Sequence, residues 1–332
     1  MNALTKKLRL YRVWTVCKII PRYFKKSKKI AREYKLSTFP IYWDMMKSLY
    51  KYGASDENYE QYHFWEHDDK YKDSFITWRR NMAIMYKFNT PEAKELFLDK
   101  VRWNIRFAKY VKRDWIYCKE ASLEEIKNFL QKHEDVILKR IDGACGVGID
   151  KYKAKDILSD NKLLNQLVGA NIILEEVAVN AEPIRQFSPS SLNTFRFVTC
   201  IDRSGMPHII ATAFRMGNGK SHTDNIVTGG IACYVDIQSG VVSTDGLNVE
   251  GKFYKEHPYS HKQFKGFQIP NWEEAKQLVL NLALEVPEAR FVGWDVVLTE
   301  RGFDILEGNI PPGEELTELD MKGKYHQVMA MY

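Results

Sequence analysis

Near the C-terminal end, two apolar segments, residues 291–298 and 303–309, are joined by little more than Glu300-Arg301-Gly302. So short a connection makes the two segments an antiparallel hairpin, and a three-residue loop with glycine in the left-handed position is a common way to close one. Counting outward from that loop sets Asp295 directly opposite Glu307. Side chains alternate along a strand, so Glu307 and Asn309 share a face, and Asp295 joins them across the ladder. Two carboxylates side by side repel each other unless a cation sits between them. Mg²⁺ takes hard oxygen ligands and completes its shell with phosphates. The alternative is that all three are surface groups on a half-exposed sheet; the apolar residues around them favour the metal.

A second segment carries a charge where an apolar strand is expected. Val136-Ile-Leu-Lys139-Arg-Ile-Asp-Gly143-Ala-Cys-Gly146-Val-Gly148 places a lysine within a strand and follows it with glycines. A lysine on a buried strand needs a charge partner, because an unpaired charge in apolar surroundings is expensive. Gly143, Gly146 and Gly148 would let backbone N–H groups approach an anion, as in loops that cradle phosphates. No Gly-Lys-Ser/Thr follows, so this is no Walker loop, and on the glycines alone an ordinary hairpin turn is the commoner explanation.

The rest of the chain reads in four parts. Residues 1–36 carry twelve Lys or Arg against the single acid Glu33, a net of +11, while the remainder carries 37 basic and 42 acidic residues. This basic arm is either a solvated helix packed on the body or an attachment to an acidic partner or an anionic membrane face, where each basic residue is worth about 1 kcal/mol. Residues 37–112 read as helical, with Leu96, Val101, Ile105 and Ala108 at helical spacing. From 113 to 190, strands at 115–118, 136–141 and 171–177 alternate with helices at 122–131 and 158–167, and Ser122-x-x-Glu125 forms a capping box. From 191 to 332 strands dominate, with a covering helix at 272–284. The fold class is α+β. Five scattered cysteines without a Cys-x-x-Cys pair suit a reducing cytosol, and no apolar run is long enough to span a bilayer. The expected location is cytoplasmic, with a peripheral contact at the inner membrane face through residues 1–36 as the open alternative.

Taken together, Lys139 with its glycine loop, Ile172-Ile-Leu-Glu175-Glu176-Val177, and Asp295 followed by Glu307-Gly-Asn309-Ile-Pro-Pro-Gly313 resemble the ATP-grasp superfamily over about residues 95–315. Ser191-Leu-Asn193-Thr-Phe-Arg196, Asp224-Asn225 and Gly229-Gly230-Ile231 are similar to its sugar-transfer-associated branch, which is linked to bacterial surface-polysaccharide biosynthesis. The resemblance implies two α+β lobes clasping ATP and Mg²⁺. It implies that Lys100 and Lys139 contact phosphates, that Glu175, Glu176 and Val177 form the hinge on the adenine edge, and that Glu182 binds the ribose. It makes Asp295, Glu307 and Asn309 the Mg²⁺ ligands. Gly293 stands where the dipeptide-forming ligases have an arginine two residues before the metal aspartate, so the charge-stabilising task falls to Arg196 and Arg215, on two strands of one hairpin.

The function implied is a ligase that activates a carboxylate with ATP as an acyl-phosphate and joins it to an amine, on a small-molecule or glycan-precursor substrate. Phosphoryl transfer to a hydroxyl is the neighbouring enzyme reading. A non-catalytic nucleotide-binding protein docked through its basic arm is the rival outside enzymology. No nucleic-acid partner is expected. His63-Phe-Trp-Glu66-His67 matches an inverted zinc-protease pattern formally, with both histidines on one helical face, but its aromatic surroundings suggest packing. Cys145 reads as a small loop filler.

Overall fold

The computed structural model describes residues 19–141, 149–219, 224, 229–248 and 251–332. The glycines at 143, 146 and 148, together with Cys145 and Asn225, therefore lie outside the described residues.

Residues 19–33 form a helix, and Thr38–Tyr52, Asp56–Gln61, Asp69–Ser74, Trp78–Phe88, Pro91–Leu98 and Lys100–Arg106 follow as further helices. Local chemistry sets several boundaries. Ser55 and Asn58 cap Asp56–Gln61 reciprocally, and Thr90 caps a helix that has Pro91 in its first turn, where the missing N–H costs nothing. Tyr23, Ile30, Ile41, Met45, Tyr59, Tyr62, Phe64 and Phe75 make the core of this region. The His63–His67 segment is no α-helix: Phe64–Glu66 is one 3₁₀ turn, and His63 has φ +48°. The two histidines are thus not a helical pair, and their rings stack on Trp65 and on Tyr71 respectively.

The first sheet holds four strands in the order β1 (Trp115–Tyr117), β4 (Ile172–Glu176), β2 (Asp135–Arg140) and β3 (Ile149–Lys153), all antiparallel. Val136, Leu138 and Leu174 pack one face onto the helices Leu123–Lys132, Ala154–Ser159 and Asn161–Leu167. The helix expected as one piece at 158–167 is two, broken at Asp160, whose carboxylate caps the second. The Ser122–Glu125 capping box is present.

The second sheet runs β11 (Gly302–Asn309), β10 (Phe291–Thr299), β5 (Thr194–Ile201), β6 (Pro207–Met216), β7 (Ile231–Tyr234), β8 (Gly246–Asn248), β9 (Phe253–Tyr254). Phe195, Phe197, Trp294, Val296 and Ile305 turn one face onto the helix Trp272–Glu285. On the opposite face Val198, Ala211, Ala213 and Phe291 meet Ile84 and Phe88 of the helix Trp78–Phe88 and the C-terminal residues Leu316, Leu319 and Val328. Arg196, Arg215 and Asp295 share that second face, because they alternate along their strands with Phe195, Phe197, Phe214, Trp294 and Val296 of the first.

The β10–β11 hairpin differs from the expected one in an instructive way. Its last pair is Thr299↔Gly302, so the loop is the two residues Glu300 and Arg301, with Gly302 at φ +88°. Near the turn the pairing is Val296↔Ile305. One bulge then leaves Leu306 unpaired, and beyond it the register is Asp295↔Glu307.

The helical region and the C-terminal segment meet closely at Gly323, where an added Cβ would lie 2.5 Å from the backbone carbonyl of Ser74. Backbone cannot swing aside as a side chain can. Gly323→Ala is expected to destabilise the fold by about 1–3 kcal/mol, read as a lower midpoint in urea; an unchanged midpoint would mean the two segments part without cost.

Candidate active site

Arg113, two residues before β1, bonds both sheets at once. Its side chain is 2% exposed. Nε donates to Glu175 on β4 (3.0 Å), and Nη1 reaches Asp304 on β11 (3.2 Å). The remaining donors go to the Ile305 carbonyl (2.6 Å) and to the carbonyl of the bulged Leu306 (3.2 Å). Lys139, two residues along the same face of the first sheet, also meets Glu175, Nζ to Oε2 at 2.6 Å. Burial alone would raise the Glu175 carboxyl, but Lys139 and Arg113 more than reverse that and bring it down to about 2. A strand lysine's need for a partner is thus met within the sheet.

The second cluster lies on the face of the larger sheet. Arg196 stands opposite Asp295 across β5 and β10 and grips it with both arms of its fork, Nε to Oδ1 at 2.5 Å and Nη2 to Oδ2 at 2.9 Å. Arg215 on β6 adds a third bond, Nη1 to Oδ1 at 2.9 Å, and donates through Nη2 to Asp224 at 3.1 Å. Asp224 also accepts from the Thr194 hydroxyl. Burial works against the Asp295 charge, yet Arg196 and Arg215 hold its carboxyl far below the usual carboxylate range. Asp224 is pushed up by burial against the pull of Arg215.

Glu307 behaves differently. Its side chain reaches solvent, although protein crowds it closely. That crowding, and then the charge of Asp295, push its carboxyl up, while Lys139 and Arg196 pull the other way; the solvent around it tempers the rise. The amide of Asn309 lies between the two carboxylates, Nδ2 being 3.3 Å from Asp295 Oδ2 and 3.4 Å from Glu307 Oε1.

The geometry thus brings together Lys139, Glu175, Arg196, Arg215, Asp295, Glu307 and Asn309. Arg196 and Arg215, to which the charge-stabilising task was assigned, both bond Asp295. Lys100 begins the helix Lys100–Arg106 and donates to the Arg140 carbonyl at 2.8 Å, at the end of the strand that leads into the glycine segment. Glu176 accepts from the Asp114 backbone (3.0 Å) and from Arg301 (2.8 Å), and Val177 follows, half-buried, just past the end of β4. Glu182 is exposed, its carboxylate held by Arg185. Arg113 and Asp304 escaped the sequence reading. The signal for Arg113 was slight, one basic residue among neighbours of both signs in Lys112-Arg113-Asp114.

Residues 79–328 match the family described as sugar-transfer-associated ATP-grasp, about three quarters of the chain. The chain belongs to that family. Its fold is therefore the ATP-grasp fold, with the four-stranded sheet and the seven-stranded sheet as the two clasping lobes. No curated protein matches the chain. Among solved structures it is similar to the ATP-grasp ligase PsnB complexed with minimal precursor, Mg and ADP, at 14% identity and TM-score 0.46, covering 74% of this chain and 61% of that one. It is also similar to D-alanine-D-alanine ligase from Helicobacter pylori (13%, TM-score 0.46, 74% and 64%) and to D-cycloserine synthetase DcsG (12%, TM-score 0.44, 73% and 72%). The chain spans less than two thirds of the PsnB chains it matches. All three scores are below 0.5, so the assignment rests on the sequence match.

Removing Arg113 would leave Glu175 short of one partner and Asp304 buried beside an unpaired bulge. Arg113→Met is expected to cost about 3–5 kcal/mol in urea unfolding. Arg113→Lys, which keeps the charge but not the fork, should recover only part of that. Wild-type stability in Arg113→Met would show that the lobes are joined by other contacts.

Proposed function

We propose that this chain is an ATP- and Mg²⁺-dependent ligase, which activates a carboxylate as an acyl-phosphate and joins it to an amine in the assembly of bacterial cell-surface polysaccharide. The observation that supports this best is that the charge of Lys139 from one lobe acts on Glu307 from the other, beside a second carboxylate, Asp295. Family membership makes ATP the natural occupant of the space between them.

The donor set suits Mg²⁺. One amide nitrogen of Asn309 now lies near both carboxylates, and nitrogen and oxygen of an amide exchange by a half-turn of the side chain. With the amide turned, Glu307, Asn309 and Oδ2 of Asp295 offer oxygens on one side of the sheet. Asp295 is the weakest of the three, since Arg196 and Arg215 already hold it. When bound, Mg²⁺ would neutralise phosphate charge and polarise the γ-phosphoryl group.

The chain's own residues carry the remaining tasks. Lys139 and Lys100 would hold phosphate oxygens, Gly143, Gly146 and Gly148 would close over them, and the backbone at Glu176 and Val177 would read the adenine edge, with Glu182 at the ribose. A substrate carboxylate oxygen then forms a bond to the γ-phosphorus as the bond to the ADP oxygen breaks. The amine attacks the acyl carbon, inorganic phosphate leaves, and the amine loses a proton. Arg196 and Arg215, fixed by Asp295 and Asp224, would place their charge beside the developing negative oxygens at no cost of reorganisation. The proposed setting is the cytoplasm, with the basic arm 1–36 as the peripheral contact.

The test is ADP release measured over a panel of carboxylates and amines. Release that needs one of each is expected; release with a hydroxyl acceptor alone would favour phosphoryl transfer, and none with any acceptor would favour a nucleotide-binding protein. Glu307→Gln should abolish turnover while leaving the thermal melt unchanged, because it removes an anionic ligand and hardly alters shape. Near-wild-type turnover in the folded variant would end the Mg²⁺ assignment. Lys139→Ala should weaken binding of a non-hydrolysable ATP analogue by about tenfold or more, equivalent to about 1.4 kcal/mol, in calorimetric titration. Unchanged affinity would make Lys139 a purely structural partner of Glu175.

A further inference from the structure

The helix Thr38–Tyr52 is apolar on two sides. Ile41, Met45, Ser48 and Tyr52 are buried against the helical core, as the fold requires. On the opposite side Phe39, Trp43 and Tyr50 recur at helical spacing and are 67%, 68% and 88% exposed. Single exposed aromatics are ordinary; a row of three on one helix, with no part in the core, is not.

The row continues into a basic stripe. Phe39 lies 6.1 Å from Phe24 of the helix at 19–33, Tyr42 lies 5.6 Å from Phe24, and Trp43 lies 5.7 Å from Tyr42. Lys28 sits over the Phe24 ring at 4.7 Å. Lys25, Lys28 and Arg32 fall on the face of that helix opposite the buried Tyr23, Ser27, Ile30 and Ala31, and Lys35 follows. These four have no ion-pair partner among the described residues. Other cations nearby do: Arg22 pairs with Asp56 and Glu57, Lys26 and Lys29 with Glu60, and Lys47 and Lys51 with Asp69. Of the basic residues between 19 and 52, the four without an acid partner among the described residues thus all lie on or beside this face.

We propose that this face, with Phe39, Trp43 and Tyr50 as its apolar row and Lys25, Lys28, Arg32 and Lys35 as its charge, docks on a lipid bilayer surface that carries anionic headgroups. Residues 19–52 hold nine basic and two acidic residues, so two copies of this face would bring like charges together. An anionic surface complements it. Tryptophan and tyrosine favour the boundary between headgroup and acyl chain, where the ring is buried and the polar edge stays wet. Lysine and arginine beside them add attraction to anionic lipid. None of the described helices is long and apolar enough to cross a membrane. This inference does not depend on the ligase reading, because it uses no residue of the cluster around Asp295.

The experiment is co-sedimentation of the full chain with vesicles of phosphatidylcholine alone, or with about a third phosphatidylglycerol. Thermal melts, not turnover, show that each variant is folded. Wild type should bind the anionic vesicles and not the neutral ones. Binding should weaken from about 0.1 M to about 1 M salt, as the Debye length falls from about 10 Å to about 3 Å. The triple change Phe39→Ser, Trp43→Ser and Tyr50→Ser should lower partitioning by about tenfold at low salt, and Lys25→Glu with Lys28→Glu and Arg32→Glu should abolish it. Wild type that ignores anionic vesicles overturns the proposal, as does binding unaffected by the aromatic changes. So does a wild-type dimer in sedimentation velocity that the aromatic changes dissolve, since the face would then be an interface between copies. An acidic protein that the same changes release, without vesicle binding, would equally overturn it.

Discussion

Arg113 holds the second carboxylate of the site in place by fixing a fault in a β-ladder. A bulge leaves one residue without a partner, and its carbonyl must find a donor elsewhere. Here the Leu306 carbonyl and its neighbour at Ile305 take the two ends of one guanidinium group, whose other donors hold Glu175 and Asp304. Were the bulge absent, the register set at Thr299↔Gly302 would continue, and Leu306 would lie opposite Asp295. Glu307 would then point to the other face, because a slip of one residue turns every side chain over. The same group that steadies the bulge also binds the strand that carries Glu175, and Glu175 in turn holds Lys139. Registry in one sheet and the position of a cation in the other thus have a common cause.

This explains what the sequence could and could not tell. Asp295 and Glu307 were expected to face each other, and they do, but the count behind the expectation used a three-residue loop where the chain uses two. The bulge at Leu306 supplies the missing residue. Nothing in Ile305-Leu306-Glu307 marks a bulge in advance, and the donor to its carbonyls is an arginine far earlier in the chain. The lobes, the lysine strand and the capping box were legible because period-two and capping patterns are local. The pairing of Arg196 and Arg215 with Asp295 was not. A single sequence places arginines on strands; only the register of three strands decides whether they look toward a ligand or toward each other's acid.

Gly293 shows how the site accommodates its own departure from the dipeptide-forming ligases. An added Cβ there would stand 3.0 Å from Arg196 Cδ and 2.9 Å from Pro312 Cα. The stem of Arg196 crosses the space that a side chain two residues before Asp295 would fill, and Nη1 bonds the Pro312 carbonyl at the edge of the following loop. Only one side chain fits in that space. A guanidinium group beside the aspartate can come from its own strand, or from the next strand over a glycine, and this chain has the second arrangement.

The charges around the cleft carry a further consequence for the proposed chemistry. Arg113, Lys139, Arg196 and Arg215 face Glu175, Asp304, Asp295, Asp224 and Glu307, so the paired network holds one more carboxylate than cations. Each of these three guanidinium groups has an acid, and among the described residues the carboxylate of the network without an ion pair is Glu307. A polyphosphate entering beside these paired groups gains little attraction from the pairs themselves. A divalent cation beside Glu307 reverses the sign locally, and Coulomb attraction in a partly desolvated cleft is several times what it is in water. On the proposed reading the acid left over in the network is therefore what makes nucleotide binding depend on the metal, and the arginines, neutralised by their own aspartates, are positioned to respond to charge that develops during the reaction and not to charge that arrives with the substrate.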